Sequence, residues 1–182
     1  MGVVKLEDLP HYTYEDYKQW DDNWEIIYGQ AYCMSPAPMI KHQAISSKIA
    51  RILEEQLEEC SKCKSLLPVD WKIAEDTVVQ PDNSVICHNP RHEAYITKAP
   101  RIIFEILSKS TVKKDTGLKF NLYEQEGVQY YIIVNPQESV AKVYELKEGR
   151  YIKVVDATDE KIIFTLKECE KELEFDFSKI WD

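Results

Sequence analysis

The sequence lacks any long apolar run, and it contains only 5 glycines among its 182 residues. A transmembrane helix needs about 20 consecutive apolar residues, so no segment is expected to cross a membrane. The first residues, MGVVKLEDLPHY, lack the basic flank and the apolar stretch of a secretory signal. No proline- or glycine-rich linker divides the chain, and its length suits one domain with a substantial core. We therefore expect a cytoplasmic protein in which residues 1–182 form a single domain.

The chain also has fewer basic than acidic residues. It contains 23 Lys and Arg residues and 32 Asp and Glu residues, which gives a formal net charge of −9. A protein that coats nucleic acid indiscriminately needs a basic surface, so the composition argues against that function. It does not exclude a local basic groove. The densest group of lysines consists of Lys109, Lys113, Lys114 and Lys119.

Cysteine is scarce and scattered, with 5 residues in the chain. Cys60 and Cys63 form a single CxxC motif, and the sequence has no second such pair. A zinc site normally needs four ligands, so the pattern does not predict one. We expect buried or incidental thiols in a reducing compartment.

Hydrophobic periodicity predicts a mixture of helices and strands. Apolar residues at helical spacing predict a long helix over residues 41–59 and shorter helices over 14–20 and 114–126. The predicted strands cover residues 24–34 (two strands), 66–74, 78–87, 101–107, 130–134, 140–146, 151–155, 161–166 and 173–177. This mixed order predicts an α/β domain with one mixed sheet covered by helices.

Two of the apolar runs each contain a carboxylate that does not suit a core strand. Asp82 follows Pro81 in the run 78–87, and Glu105 lies within the run 101–107. Taken singly, Asp82 could be a turn residue, and Glu105 could face solvent from an edge strand. Burying an unpaired carboxylate is costly, however, and two such violations together favour a functional site.

The two carboxylates suit a metal-dependent reaction on phosphate esters. On neighbouring strands they could supply oxygen ligands to a hard divalent cation, Mg²⁺ or Mn²⁺. Phosphodiester hydrolysis needs a nucleophilic water and neutralisation of the phosphate charge, to which such a cation and a lysine contribute. A lysine-rich segment follows Glu105 directly. The pattern therefore predicts a metal-dependent phosphodiesterase.

Several short sequence segments in the chain resemble those of one protein family. They occur in the order YTYEDY, WEIIYGQAYCMSPAP, HQAISSKIARIL, VVQPD, PRIIFEILSKST, DTGLKFNLY, GVQYYIIVNP and VYELKEGRYI. The chain resembles the Uma2 family of restriction-endonuclease-like proteins, a branch of the PD-(D/E)xK nuclease superfamily. The resemblance implies a restriction-endonuclease-like mixed β-sheet flanked by helices, with an αβββαβ core and additional hairpins. It also implies a divalent-metal-dependent endonuclease that hydrolyses phosphodiester bonds, with DNA favoured over RNA.

The resemblance assigns roles to the two acids. It implies that Asp82 and Glu105 are the acidic residues of the nuclease motif and act as both catalytic residues and metal ligands. The backbone carbonyl of Ile106 is implied as a further metal ligand. These assignments extend the prediction made from the apolar runs alone.

The lysine of the motif is displaced in this sequence. Leu107 stands two residues after Glu105, where the superfamily has lysine. The resemblance implies that the lysine comes from the next helix, which matches Lys119, although Lys109 competes for the role. The plainer alternative is that Lys119 and Asp115 form a surface ion pair worth about 0.3–0.5 kcal/mol.

Two further residues match the family pattern near the site. The resemblance implies that Glu25 and His42 are groups that support the metal ligands. The Glu-x-x-x-Gly-Glu phrase of the family ends in Gln30 here, so its second acid is lost. Alternatively, Glu25 faces solvent in a hairpin and His42 caps or packs the long helix.

The lysines beside Glu105 predict where a substrate binds. Lys109, Lys113 and Lys114 are candidates for binding the phosphates that flank the scissile bond. Alternatively, they form a solvent-exposed face with no role in binding. Two other functions stay open: a catalytically weak or inactive nuclease-fold protein for binding or assembly, and a phosphohydrolase of small nucleotides. A homodimer is a further expectation, because nucleases that cut both strands often pair two sites.

Overall fold

The computed structural model describes residues 9–34, 39–88 and 94–181. Its helices are α1 (Tyr14–Tyr17), α2 (Ile40–Leu57) and α3 (Lys119–Glu126), with a π-helical segment (Lys114–Leu118) and a 3-10 turn (Phe177–Lys179). Its strands are β1 (Trp24–Ile27), β2 (Gln30–Cys33), β3 (Lys64–Leu66), β4 (Trp71–Ala74), β5 (Thr77–Val79), β6 (Asn83–Ile86), β7 (Ile102–Ile106), β8 (Tyr130–Asn135), β9 (Val140–Lys147), β10 (Arg150–Ala157), β11 (Lys161–Phe164) and β12 (Leu173–Asp176). Within these ranges, no helix combines the length and the apolarity that crossing a bilayer requires.

A six-stranded sheet forms the centre of the structure, with the strand order β10-β9-β8-β7-β6-β3. β7 and β8 run parallel, and the other neighbours are antiparallel. Along the chain, α2, β3, β6, β7, α3 and β8 give the αβββαβ order that the resemblance implied. The strands β4 and β5 are inserted between β3 and β6 and belong to a smaller sheet, β2-β1-β5-β4.

Strand β7 divides the core into two clusters, one on each face of the large sheet. Ile102, Phe104 and Ile106 pack in the cluster that contains α2. Ile103 packs in the cluster that contains α3. Because side chains alternate along a strand, Glu105 shares the face of Ile103 and points towards α3.

Helix α2 covers one face of this sheet as its sequence pattern predicts. Ile45, Ile49, Ile52, Leu53 and Leu57 are all buried. Burying each such side chain stabilises the fold by about 1.5–3 kcal/mol, so this stripe fixes the helix on the sheet. The amino-terminal half of α2 lies by the start of β6, where the Ser46 hydroxyl donates a hydrogen bond of 3.0 Å to Asn83 Oδ1.

Two predicted strands are wrong, because each spans a change of sheet. Residues 66–74 divide into β3 of the large sheet and β4 of the smaller one, and residues 78–87 divide into β5 and β6. Pro68 and Pro81 lie at the two crossings. Proline has no N–H to donate to a sheet, so the ladder ends where the chain changes sheet. The predicted helix over 14–20 is also shorter, since α1 ends at Tyr17.

The expectation of separate thiols is wrong for four of the cysteines. Cys60 forms a disulfide with Cys169, and Cys63 forms one with Cys87. The sequence separations are 109 and 24 residues. The two bonds join the chain after α2 to the end of β6 and to the β11–β12 connection.

Candidate active site

Glu105 on β7 is a carboxylate inside the protein core, with 3% of its surface exposed. Its Oε1 accepts a hydrogen bond of 2.9 Å from Lys119 Nζ and one of 2.7 Å from the Tyr123 hydroxyl. Lys119 and Tyr123 lie one turn apart on α3 and therefore face the sheet together. The strand and the helix thus combine to satisfy one buried oxygen of Glu105.

Lys119 is the centre of a buried network of charges. Its ammonium lies 2.6 Å from Glu25 Oε1, 2.9 Å from Glu105 Oε1 and 3.9 Å from Asp115 Oδ1. Lys119 is 1% exposed and Asp115 is 2% exposed. The interpretation of this pair as a surface ion pair is therefore wrong.

Asp82 lies directly before β6, opposite Glu105. Asn83 pairs with Phe104 in the antiparallel ladder of β6 and β7, so the preceding residue comes level with Glu105. Asp82 Oδ2 accepts a hydrogen bond of 2.7 Å from the backbone N–H of Ile106. The structure consequently brings both predicted acids to the same end of neighbouring strands.

His42 connects α2 to Asp82. Its Nε2 lies 3.2 Å from Asp82 Oδ2, and its side chain is 12% exposed. Its Nδ1 is buried and has no hydrogen-bond partner among the described residues. Burial by itself lowers the pKa of His42, but the Asp82 carboxylate and the Ile106 backbone outweigh burial and raise it above its usual value. His42 is thereby favoured as a cation that holds the Asp82 carboxylate.

Glu25 reaches the site from β1 of the smaller sheet and is completely buried. Its Oε1 accepts a hydrogen bond of 2.8 Å from the backbone N–H of Gln80, and its Oε2 accepts one from Lys114 Nζ. The pKa of Glu25 is lowered, because the ammonium groups of Lys119 and Lys114 outweigh the opposing effect of burial. The alternative that Glu25 faces solvent is wrong.

Carboxyl groups outnumber ammonium groups in this cluster. Its carboxylates are Glu25, Asp82, Glu105 and Asp115, and its ammonium groups are Lys114 and Lys119. The pKa of Glu105 is well above its usual value, mainly through burial; the Lys119 ammonium opposes this rise and the neighbouring carboxylates add to it. Burial lowers the pKa of Lys119, but Glu105, Glu25 and Asp115 prevail and raise it well above its usual value. The cluster therefore keeps Lys119 charged, while burial favours the neutral forms of Glu105 and Asp115; a bound divalent cation would favour their charged forms.

The side chains alone do not complete a metal site beside Glu105. Among the described residues, the sets of three His, Cys, Asp or Glu ligand atoms within 4.8 Å of one another all contain cysteine. A cation beside Glu105 would complete its shell with water or with a backbone oxygen, the role predicted for Ile106. Carboxylate and carbonyl oxygens are the ligands that Mg²⁺ and Mn²⁺ prefer.

A cavity of about 480 Å³ opens next to the charged cluster. Its lining includes Lys113, Lys114, Ser110 and Thr111. Lys114 is also bonded to Glu25, whereas Lys109 is exposed on the preceding loop. The structure thus brings two of the three predicted phosphate-binding lysines to the cavity.

Sequence reasoning missed how Tyr123, Asp115 and Gln80 take part in the cluster. No role was assigned to Tyr123 from the sequence, yet its hydroxyl donates to Glu105. A signal was present in the spacing, because Asp115, Lys119 and Tyr123 recur every four residues on one helical face. For Gln80, no signal existed, since its backbone N–H makes the contact.

Comparisons with known proteins agree with this fold. The chain is 28% identical over 135 residues to the uncharacterized protein slr1290 of Synechocystis sp., and the match covers 70% of each chain. It superposes with a TM-score of 0.75 and 20% identity on a crystal structure from Anabaena variabilis, described as a "putative nuclease belonging to DUF820". That superposition covers 93% of this chain and 97% of the other, and it confirms the predicted restriction-endonuclease-like α/β fold.

A family model gives the assignment. The model of Uma2, described as "Putative restriction endonuclease", matches residues 14–175. The match runs from α1 into β12 and so includes every residue of the charged cluster. The chain belongs to the Uma2 family.

Proposed function

We propose that this protein is a Mg²⁺- or Mn²⁺-dependent endonuclease that hydrolyses phosphodiester bonds of DNA. The observation that carries the proposal is the buried Glu105 carboxylate, 2.9 Å from the Lys119 ammonium and opposite Asp82. Two acids and a lysine at one end of a sheet are the groups that this reaction needs. Membership of a family described as "Putative restriction endonuclease" supports the same class of reaction.

The acids would hold the cation, and the surrounding residues hold the acids. Asp82, Glu105 and the Ile106 carbonyl would be the ligands. A bound Mg²⁺ or Mn²⁺ supplies Lewis acidity and makes a water molecule more acidic. The Ile106 N–H and His42 orient Asp82, while Tyr123 orients Glu105.

Lys119 would stabilise the charge that develops on the phosphate. It supplies the ammonium that Leu107 cannot, and its raised pKa keeps it charged. Glu25 and Asp115 fix its position before substrate binds. An oriented charge of this kind needs no reorganisation during the reaction, which is why it is effective in a water-poor site.

Phosphates on either side of the scissile bond would contact the exposed lysines. We expect Lys109→Ala and Lys113→Ala to weaken DNA binding and to reduce the slope of log affinity against log salt by about one unit for each lost contact. Fluorescence anisotropy over a range of salt concentrations measures this slope. Lys114→Ala should instead destabilise the fold, because it removes a cation from the buried Glu25. An unchanged slope for Lys109→Ala and Lys113→Ala would assign both lysines to a solvated face.

A second candidate function is binding or assembly without catalysis. The observation that favours it is the enclosure of Lys119, whose side chain is 2% exposed and already paired with Glu25 and Glu105. A substrate phosphate would have to reach this ammonium through the cavity.

One assay distinguishes these functions. Supercoiled plasmid DNA and free nucleotides are incubated with the protein, with and without Mn²⁺, beside a Glu105→Gln variant as the matched control. Metal-dependent nicking that the variant lacks would support the endonuclease, and direct conversion to linear DNA would support paired sites in a homodimer. DNA binding without cleavage would support the second candidate, and hydrolysis of nucleotides alone would support a small-nucleotide phosphohydrolase.

A further inference from the structure

Four cysteines meet at one place beside β3 and β6 of the large sheet. Cys60 lies in the turn after α2, Cys63 lies before β3, and Cys87 follows β6. Cys169 lies in the connection between β11 and β12. Three separate segments of the chain therefore supply sulfur to this four-cysteine cluster.

The two disulfides of the cluster touch each other. Cys63 Sγ lies 3.5 Å from Cys169 Sγ, although these two residues belong to different disulfides. The sulfurs of Cys60, Cys63 and Cys169 all lie within 4.8 Å of one another. Four thiolates at about 2.3 Å from a tetrahedral Zn²⁺ would be separated by about 3.8 Å. Three of the four sulfurs thus already lie within the span of a tetrathiolate site, and the fourth, Cys87 Sγ, is bonded to Cys63 Sγ.

The local backbone also suits a zinc site. Cys60 and Cys63 have the C-x-x-C spacing of one half of a structural zinc site. The Cys63 N–H donates a hydrogen bond of 3.3 Å to the Cys60 carbonyl, which closes a tight turn between them. A second turn, from the Cys169 N–H to the Leu166 carbonyl, presents Cys169 from the opposite segment.

An incompletely satisfied carboxylate lies against this cluster. Glu168 Oε1 accepts a hydrogen bond of 3.0 Å from Arg101 Nε. Glu168 Oε2 is buried and has no hydrogen-bond partner in the described part of the chain. A carboxylate oxygen of Glu168 lies within 4.8 Å of the sulfurs of Cys63 and Cys87. The Arg101 guanidinium pairs with Oε1, so only Oε2 lacks a donor beside the sulfurs.

We propose that the four-cysteine cluster binds one Zn²⁺ as a tetrathiolate when its two disulfides are reduced. Each disulfide takes up two electrons and two protons to give two thiols, and the four thiols lose their protons to the solvent as zinc binds. Thiolate ligands select Zn²⁺, whereas the oxygen ligands of the charged cluster suit Mg²⁺ or Mn²⁺. The zinc site is therefore distinct from the candidate active site and does not depend on the proposed nuclease function.

The test uses the full chain and the metal alone. The protein is reduced with a water-soluble phosphine, which becomes a phosphine oxide by taking its oxygen from water, and the reagent is then removed under nitrogen. Native mass spectrometry after addition of Zn²⁺ should show one zinc per chain, and a pH indicator in weakly buffered solution should report the release of about four protons per zinc bound. Iodoacetamide should then modify one cysteine, the exposed Cys33, instead of all 5. Co²⁺ in place of Zn²⁺ should give the absorption bands of a tetrahedral thiolate complex.

The controls separate this site from other zinc binding. Cys33→Ser should bind zinc as the wild type does, while Cys87→Ser should lose the tetrathiolate Co²⁺ spectrum. Cys87→Ser also removes a cross-link and could therefore fail to fold. In that case, the number of cysteines that iodoacetamide modifies in the zinc-loaded wild-type chain tests the proposal. Modification of all 5 cysteines in the presence of zinc would overturn the proposal. Zinc binding that persists after full alkylation would place the ion on carboxylates and would overturn it equally.

Discussion

Replacing Lys119 with methionine should abolish cleavage and lower the free energy of unfolding by about 3–5 kcal/mol, the usual cost of removing one partner from a buried ion pair. Methionine occupies a similar volume without the charge, so the Glu25 and Glu105 carboxylates would remain buried without their shared cation. The smaller loss of about 0.3–0.5 kcal/mol applied to an exposed Lys119–Asp115 pair, and both residues are buried. Urea unfolding followed by circular dichroism and a plasmid-cleavage assay measure the two effects.

Two variants complete this test. Lys109→Met changes an exposed lysine on the preceding loop and should retain both stability and most of the cleavage activity. The double variant Lys119→Met/Glu105→Gln should recover part of the lost stability, since it removes one of the two carboxylates left unpaired. A Lys119→Met protein that is as stable and as active as the wild type would transfer the catalytic role to Lys109.

Asp82→Asn and Glu105→Gln should each abolish cleavage and weaken Mn²⁺ binding without a comparable loss of stability. Replacing a residue that merely orients a metal ligand costs about 10–100-fold in affinity, so loss of a ligand should cost at least as much. In Asp82→Asn, the amide side chain would keep an oxygen that accepts from the Ile106 N–H, as the carboxylate does. Glu105→Gln should maintain or raise stability, because it removes a charge from a cluster in which carboxylates outnumber ammonium groups.

Isothermal titration with Mn²⁺ and urea unfolding measure these effects side by side. Glu138→Gln, at an exposed carboxylate between β8 and β9, is the matched control and should bind Mn²⁺ as the wild type does. Unchanged Mn²⁺ affinity in both Asp82→Asn and Glu105→Gln would contradict the assignment of the metal ligands. Loss of affinity with full retention of cleavage would show that the reaction does not use this site.

Much of the site could be selected from the sequence because Asp82 and Glu105 interrupt apolar runs. Lys119 was selected by family resemblance, since Leu107 occupies the position expected for lysine. The burial of Lys119 and Asp115 could not be predicted from the sequence. Helical spacing shows that residues share a face, but it does not show which face packs against the sheet.

The fold was predictable in its class and its element types, and less so in its sheets. The runs 66–74 and 78–87 each have strand-forming residues on both sides of a proline. Strand propensity gives the same signal on both sides of Pro68 and Pro81, so it cannot show that the chain changes partners there. The pairing of Cys60 with Cys169 is equally hidden, because 109 residues separate them.

The smaller sheet has a consequence for how this protein can be recombined with its relatives. Glu25, the closest counter-ion of Lys119, comes from β1, and the backbone of Gln80 after β5 holds it in place. A chain trimmed to the αβββαβ core would retain Lys119 but lose the group that orients it. A chimera that exchanges the amino-terminal hairpin would keep Lys119 in position only if the donor hairpin brings a carboxylate to the site of Glu25.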